Sequence, residues 1–206
     1  MADVFYYVSN IEVSNSVSCG LKLSEWGEKE VRVEGITRNC IRALLNPKDD
    51  IDKYKSDNFK CLRLDIKLRH CFVADSMLYR AGEENPEVME LYNESIVPAE
   101  NYVFGTYRIP ECLITSTVLS DQIEVLDKRI DLPILYDNSE DLYETNLIEN
   151  YREEYGNFND IMLYTFNLRL VEEGKVSMIN DEKNGIAIFK NNRSKNIFTV
   201  KIPTLE

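Results

Sequence analysis

The stretch over residues 104–114 constrains the fold most, because a single carboxylate joins an irregular loop to an apolar run there. Gly105 and Pro110 bracket the loop, and Glu111 follows the proline directly. The run Cys-Leu-Ile over residues 112–114 predicts the start of a buried strand. A carboxylate at the first position of such a strand lies at a cleft edge. It is either aimed into the cleft or is an ordinary solvent-facing glutamate.

Short segments with strand and helix patterns surround this stretch. We expect strands over residues 4–9, 59–66, 71–74, 113–118 and 123–126, and helices over residues 11–18, 84–95 and 142–155. Residues 36–45 are ambiguous, since Thr37 could cap a helix there. Residues 22–35 are expected to form a loop or a short strand anchored by Trp26. The inner side of the helix over 142–155 is expected to carry Leu142, Leu147, Ile148 and Tyr151.

The C-terminal part has a different pattern. Apolar and polar residues alternate over residues 161–171, 175–180, 185–190 and 197–202, with polar turns between the segments. The pair Asn184-Gly185 is a strong hairpin signal. We therefore expect a C-terminal antiparallel meander over residues 158–206, packed on the core of a preceding domain over residues 1–157. The overall prediction is an α+β fold of split, mainly antiparallel sheets with short helices.

Composition narrows the class of protein. A chain of 206 residues that is 44% hydrophobic can bury one good core. Its five cysteines are odd in number and form no C-x-x-C pair, which favours reduced thiols in the cytoplasm over a disulfide framework or a zinc site. The chain has a single histidine, so a histidine-based metal centre is not expected. No apolar run reaches membrane-spanning length, and the N-terminal residues do not have the pattern of a signal peptide.

The charge is strongly negative and unevenly distributed. A net charge of −12 repels nucleic acid, so a DNA or RNA contact would need a local basic patch. Residues 137–160 contain eight acidic side chains and one basic side chain, whereas residues 183–201 contain five basic side chains and no acidic one. The simplest interpretation is a solvated helix face and a solvated sheet face.

Several motifs are absent or incomplete. The chain has no G-x-G-x-x-G, no P-loop and no G-x-S-x-G. His70 and Cys71 are sequence neighbours, and neighbours on a strand point to opposite faces, so they cannot form a direct dyad. The acidic run over residues 49–52 lacks the glycine and the terminal glutamate of a calcium loop.

A set of short motifs, taken in order, resembles one family. The runs are Tyr6-Tyr7-Val8-Ser9-Asn10-Ile11-Glu12, Gly20-Leu21, Ala43-Leu44-Leu45-Asn46-Pro47-Lys48, Cys71-Phe72-Val73-Ala74-Asp75 and Pro110-Glu111-Cys112-Leu113-Ile114. Their order and spacing over about residues 4–127 resemble the DarT-type ADP-ribosyltransferases of bacterial toxin–antitoxin and phage-defence systems. The first-motif histidine and threonine of that family are replaced here by Tyr7 and Ser9. The part of the chain from residue 161 onward matches nothing in the family.

The resemblance implies a role for each motif. It implies an ADP-ribosyltransferase fold in which Glu111 is the catalytic carboxylate and Tyr7 and Ser9 hold the nicotinamide amide and the ribose. Gly20 and Leu21 would belong to the NAD site. The arginine for the phosphates would be Arg32 or Arg38, with Arg42 less favoured as a residue expected to face away. Asn46 and Asp75 would line the cleft. Taken singly, these residues also fit ordinary roles: strand positions for Tyr7 and Ser9, a surface charge for Arg38 and a helix cap for Asp75.

The function implied by the resemblance is NAD-dependent mono-ADP-ribosyl transfer. NAD would be the substrate, no metal would be needed, and the acceptor would be a nucleic acid or a protein. A cytoplasmic bacterial toxin or phage-defence component with an antitoxin protein as partner, and no membrane contact, fits the same family. Two alternatives remain open at the level of sequence: a non-catalytic nucleotide- or protein-binding module on a degenerate scaffold, and an unrelated structural protein.

Overall fold

A computed structural model describes residues 2–33, 35–126 and 137–204 as an α+β protein with mainly antiparallel sheets and short helices. The strands are β1 (Ala2–Ser9), β2 (Lys29–Val33), β3 (Ile36–Leu44), β4 (Phe59–Ile66), β5 (Cys71–Asp75), β6 (Val97–Pro98), β7 (Pro110–Ile114), β8 (Ile123–Leu126), β9 (Val176–Asp181), β10 (Ile186–Asn191) and β11 (Ile197–Lys201). The helices are α1 (Val13–Cys19), α2 (Leu23–Trp26), α3 (Ile51–Lys55), α4 (Ser76–Gly82), α5 (Pro86–Ser95), α6 (Ser139–Tyr155) and α7 (Phe158–Glu172).

The described strands β1 to β8 form one sheet that is nearly split in the middle. Its order is β6-β5-β7-β3-β1-β4-β8, and β2 pairs with the first half of β3. Within the described residues, β1 and β3 share one paired position, Phe5 opposite Leu44, whereas β1 and β4 pair along their whole length. The two halves of the sheet therefore meet at a narrow junction between β1 and β3.

The two faces of this sheet carry two different cores. Alternate side chains of a strand point to opposite faces. One face holds Val4, Leu62, Leu64 and Ile114, all fully buried. Each such aliphatic side chain contributes roughly 1.5–3 kcal/mol through removal of apolar surface from water. The opposite face holds a smaller core with Val31, Val33, Cys40, Phe72, Ala74, Tyr92 and Leu113, covered by α4 and α5.

The chain divides into two compact units, Met1–Asn146 and Leu147–Glu206. The second unit contains the antiparallel sheet β11-β10-β9, with Val176, Ala187, Phe189 and Val200 in its core. The predicted meander is confirmed for these three strands. The strand predicted over residues 161–171 was wrong, because this segment lies in α7. Tyr164, Leu170 and Val171 of that helix pack against the core of the sheet, so this apolar segment is buried as part of a helix.

Three further details of the first unit differ from the sequence expectations. Residues 36–44 form strand β3 and no helix, because β2 and β7 supply pairing partners for its backbone. The segment over residues 22–35 contains both α2 and β2. The central strand β7 begins at Pro110 and ends at Ile114, short of the predicted limit at residue 118.

The inner face predicted for α6 was partly wrong. Leu142 and Leu147 are half-buried, whereas Ile148 and Tyr151 are exposed. The side chains of Ile148 and Tyr151 are therefore partly exposed and do not belong to a core of the described chain.

Candidate functional site

Glu111 is the second residue of β7, which lies between β5 and β3 in the sheet. It stands opposite Leu44 of β3 on one side and opposite Ala74 of β5 on the other. Its side chain has no exposed surface and lies on the face of the sheet that holds the smaller core. Because a carboxylate is rarely buried without partners, the groups that contact it decide what it can do.

Three side chains satisfy the Glu111 carboxylate. Lys29 Nζ lies 2.7 Å from Oε1 and 2.9 Å from Oε2, and donates to both oxygens. The Tyr92 hydroxyl donates to Oε1 over 2.8 Å. The buried Nε of Arg42 lies 2.7 Å from Oε2 but is not aligned for a hydrogen bond, so this contact is an ion pair. Both oxygens are therefore engaged by protein groups.

The position of Lys29 follows from the alternation of β2. Lys29, Val31 and Val33 face inward, and the two residues between them face outward. Burial lowers the pKa of the Lys29 ammonium, and the attraction of Glu111 opposes that shift. The ammonium also lies 3.3 Å from the centroid of the Tyr79 ring, a cation–π contact that offsets part of its desolvation. Lys29 is thus a buried cation held between a carboxylate and an aromatic face.

Arg42 connects this buried cluster to a cavity. Its side chain is 32% exposed although its Nε is buried, so the exposed part lies beyond the contact with Glu111. The cavity has a volume of about 310 Å³ and lies beside the β1–β3 junction, since Phe5 and Leu44 both line it. Its other lining residues are Tyr6, Tyr7, Glu28, Arg42, Asp49, Asp50, Ile51, Asp52, Lys53, Arg80 and Ile109.

The cavity wall mixes both signs of charge. Arg42, Arg80 and Lys53 supply cations to the wall, and residue 28 together with residues 49–52 supplies four carboxylates. The Tyr7 hydroxyl donates to the carbonyl oxygen of Pro47 over 2.8 Å, and burial raises the pKa of Tyr7. A ligand in this cavity would meet charges of both signs, of which Lys53 and Asp50 already form an ion pair at 3.4 Å.

A second cavity of about 460 Å³ adjoins the first, because Asp49, Ile51 and Ile109 line both. Asp49 accepts hydrogen bonds from the backbone N–H of Ser139 over 2.8 Å and from the Ser139 hydroxyl over 2.6 Å. Burial raises the pKa of Asp49, and these hydrogen bonds oppose the shift. Arg108 lines the second cavity and forms an ion pair with Glu140, so α6 closes its other side.

The structure brings only some of the candidate residues together. Tyr7 lies in the wall of the first cavity, two strands from Glu111, but Ser9 lies further along β1 and donates to Glu12. Gly20 and Leu21 belong to the opposite face of the sheet, where Leu21 bridges Val118 in the larger core.

The remaining candidates lie outside the cavity wall. Arg32 is exposed on the outer side of β2. Arg38 lies on the same side of β3 as Arg42 but four residues further from the junction. Asn46 is buried and accepts from the backbone N–H of Lys48 over 3.0 Å. Asp75 accepts from the N–H of Met77 over 3.0 Å as the cap of α4.

Sequence reasoning did not identify Lys29 and Tyr92 as partners of Glu111. It also expected Arg42 to face away from the cleft, whereas the Arg42 side chain contacts Glu111 and lines the first cavity. A signal for Lys29 existed, since it alternates in phase with Val31 and Val33. Arg42 faces the same side as Leu113 and Glu111 because of the β3–β7 register, which no local pattern encodes. Tyr92 comes from a separate helix, and only packing brings it to the carboxylate.

The described residues contain no group of three or more His, Cys, Asp or Glu side chains placed to hold a metal ion. In the same part of the chain, no helix combines the length and apolarity needed to cross a membrane. No protein-family model matches this chain, and no curated protein or solved structure is significantly similar to it. Function is therefore inferred from the geometry and chemistry of the site.

Proposed function

We propose that this chain is an NAD-dependent mono-ADP-ribosyltransferase of DarT-like type, with its NAD site in the cavity at the β1–β3 junction. The main support is Arg42, whose side chain joins the fully buried Glu111 to that cavity. The near-split antiparallel sheet fits the same proposal, and so does the position of Glu111 at the start of a buried strand. Tyr7 in the cavity wall supplies an aromatic ring and a hydroxyl.

The mixed charge of the cavity suits NAD. The nicotinamide ring of NAD is cationic and its pyrophosphate is anionic, so one ligand needs both signs of charge in its site. Arg42 and Arg80 would bind the pyrophosphate, since guanidinium groups form paired hydrogen bonds with phosphates. Carboxylates at residues 49–52 would face the cationic ring.

Glu111 would act on the ribose. Positive charge develops on the sugar as the bond to nicotinamide breaks, and a fixed carboxylate stabilises that charge. Both oxygens of Glu111 are engaged, so one partner must first withdraw. Arg42 is the most exposed of the three partners, and a pyrophosphate that binds its guanidinium would leave Lys29 as the remaining partner of Oε2. Nicotinamide then leaves with the bonding electron pair, and an acceptor nucleophile takes its place on the sugar and loses a proton to a base.

A second candidate is a non-catalytic nucleotide-binding module on the same scaffold. It is favoured by the complete burial of Glu111, whose charge is balanced by Lys29 and Arg42 as in a structural ion pair. The two candidates share the cavity and differ in whether Glu111 reaches the ligand.

Nicotinamide release and calorimetry separate the two candidates. We expect the full chain to bind NAD, and to release nicotinamide in the presence of DNA, RNA or protein acceptors. Glu111→Gln should abolish release, with Trp26 fluorescence as the check that the first unit is folded. Arg42→Gln should weaken NAD binding, whereas Arg32→Gln, on the exposed outer side of β2, should leave it unchanged. Binding without release would favour the second candidate, and no binding of NAD or ADP-ribose would refute both.

A further inference from the structure

The three-stranded sheet of the second unit has apolar side chains on both of its faces. The inner face holds the core around Phe189, against which α7 packs. Directly opposite residues of paired strands share a face, and successive residues alternate between faces, so the pairing register defines the other face. This face is called here the outer face. It consists of Ser177, Ile179 and Asp181 of β9, Ile186, Ile188 and Lys190 of β10, and Ile197, Thr199 and Lys201 of β11.

The four isoleucines of the outer face are neighbours. Ile188 on the central strand lies directly opposite Ile179 on β9. Ile186 precedes Ile188 by two residues on the same strand, and Ile197 on β11 lies diagonal to Ile188, beside its direct partner Thr199. Side chains at opposite and diagonal positions of an antiparallel pair lie about 4.5–8 Å apart. The isoleucines therefore form one continuous apolar surface across all three strands.

This apolar surface is open to solvent. Ile179 is 68% exposed and Ile197 is 64% exposed, with Ile188 half-buried between them. Strand β10 carries four apolar residues in succession over residues 186–189, and a run without alternation is typical of a strand that is covered on both faces. The described part of the second unit covers the inner face alone, with α7. A contiguous exposed apolar patch of this kind marks a site of interaction.

Basic side chains surround the isoleucines. Lys190 lies opposite Ile197 on the outer face itself, and Lys201 lies opposite Ile186. The two turns that flank β10 add further cations. The complete set of exposed basic side chains is Lys183, Lys190, Arg193, Lys195 and Lys201. Among the described residues, none of these five has an ion-pair partner, whereas Arg169 and Lys175 of the same unit both pair with Glu173.

The charge of this sheet is opposite to that of the chain. Residues 176–201 contain five basic and two acidic side chains, a net charge of +3 in a chain whose net charge is −12. One of the two acidic residues, Asp181, accepts hydrogen bonds from the backbone N–H of Asn184 over 3.2 Å and from its side-chain amide over 2.7 Å. The outer face is thus an apolar centre with a cationic surround.

We propose that the outer face binds an acidic amphipathic helix of a partner protein. The apolar side of such a helix would cover the isoleucines, and its glutamates or aspartates would meet the surrounding cations. Nucleic acid is the less suitable occupant, because unpaired bases stack on aromatic side chains and the outer face has none. A second copy that used the same face would bring two positively charged segments together. The proposal is independent of NAD binding.

A labelled model peptide provides the test. The probe is a synthetic helix of leucine and glutamate, with leucines at helical spacing on one side, and its binding to the full chain is followed by fluorescence anisotropy. The control probe has the same composition, with the leucines distributed all around the helix. We expect the amphipathic probe alone to bind, although the net charge of the chain repels it. Its affinity should fall as salt rises from about 0.05 M to about 0.3 M, because screening weakens the attraction between charges.

Isoleucine variants locate the apolar centre. Ile179→Thr combined with Ile197→Thr should weaken binding at least about tenfold, because the contact loses apolar area on both edge strands. Threonine is also β-branched, so the strands should keep their structure, and an unchanged circular dichroism spectrum checks this. Ile11→Thr with Ile36→Thr is the matched control, because both isoleucines are exposed in the first unit, and it should leave binding unchanged.

Lysine variants test the cationic surround. Lys190→Gln with Lys201→Gln should weaken binding several-fold and reduce its salt dependence. Lys55→Gln with Lys67→Gln changes the net charge equally on exposed residues of the first unit and should have no effect.

Four results would overturn the proposal. The first is an amphipathic probe that fails to bind, or that binds no better than the control probe. The second is binding that the Ile179 and Ile197 changes leave intact. The third is tighter binding of a labelled single-stranded oligothymidylate than of the acidic probe, which would assign the face to nucleic acid. The fourth is a dimer in sedimentation experiments that the Ile179 and Ile197 changes dissociate, which would show that a second copy covers the face.

Discussion

Replacing Lys29 by methionine removes the cation that contacts both oxygens of the buried Glu111 carboxylate. Removing one partner of a buried ion pair costs about 3–5 kcal/mol when the remaining charge is uncompensated. Here Arg42 stays 2.7 Å from Oε2 and Tyr92 still donates to Oε1, so part of the compensation remains. Methionine also keeps the apolar packing of the lysine stem. We therefore expect Lys29→Met to lower the free energy of unfolding by about 2–3 kcal/mol.

Urea denaturation followed by tryptophan fluorescence measures this loss in the first unit. The chain has one tryptophan, Trp26, whose ring makes an edge contact with Tyr6 at a centroid distance of 6.0 Å. Its emission therefore reports on the unit that contains Glu111. Lys22→Met is the matched control, because Lys22 forms an exposed ion pair with Glu25 and should not change the unfolding midpoint.

A double-mutant cycle tests whether the loss comes from the charge pair. Once Glu111→Gln has removed the negative charge, Lys29→Met should cost at least about 1 kcal/mol less than it does in the unmodified chain. If Lys29→Met and Lys22→Met unfold at the same urea concentration, or if the cost of Lys29→Met is independent of Glu111→Gln, the buried pair does not stabilise the first unit and the reasoning is refuted.

Three further changes, and one comparison variant at Gly174, give separate expectations for the free energy of unfolding. Tyr92→Phe removes the hydroxyl that donates to Glu111 and should cost about 1.5–3 kcal/mol in urea denaturation; no loss would mean that the hydrogen bond is replaceable. The raised pKa of Asp49 means that the folded state binds more protons between pH 3.8 and that higher pKa, so stability falls as pH rises through this interval. Asp49→Asn should lose this part of the pH dependence, and an unchanged profile would contradict the assignment. Gly20→Ala should cost at least about 2 kcal/mol, because φ is +74° and a Cβ atom would lie 2.3 Å from a backbone carbonyl oxygen. Gly174→Ala, with φ +69° and open space around it, should cost about 1 kcal/mol, and equal losses would show that the close approach at Gly20 is unimportant.

Much of the fold could be predicted from local patterns. Strand β4 was predicted with its observed limits, because Leu62, Leu64 and Ile66 alternate with polar residues and pairing covers the whole length of the strand. The C-terminal hairpin followed from Asn184-Gly185, where Gly185 has φ +66°. Residues 161–171 were predicted as a strand from their alternation, but they lie in α7, where Tyr164, Leu170 and Val171 pack onto the second sheet.

The candidate site depends more on tertiary structure. The sequence by itself determined that Glu111 opens a buried strand, because an apolar run directly follows it. Tertiary structure alone decided that Lys29, Arg42 and Tyr92 surround the carboxylate, since these residues come from β2, β3 and α5. Pairing register and helix packing set which side chains meet across such sequence distances, and a buried charge is stable only where they supply its partners.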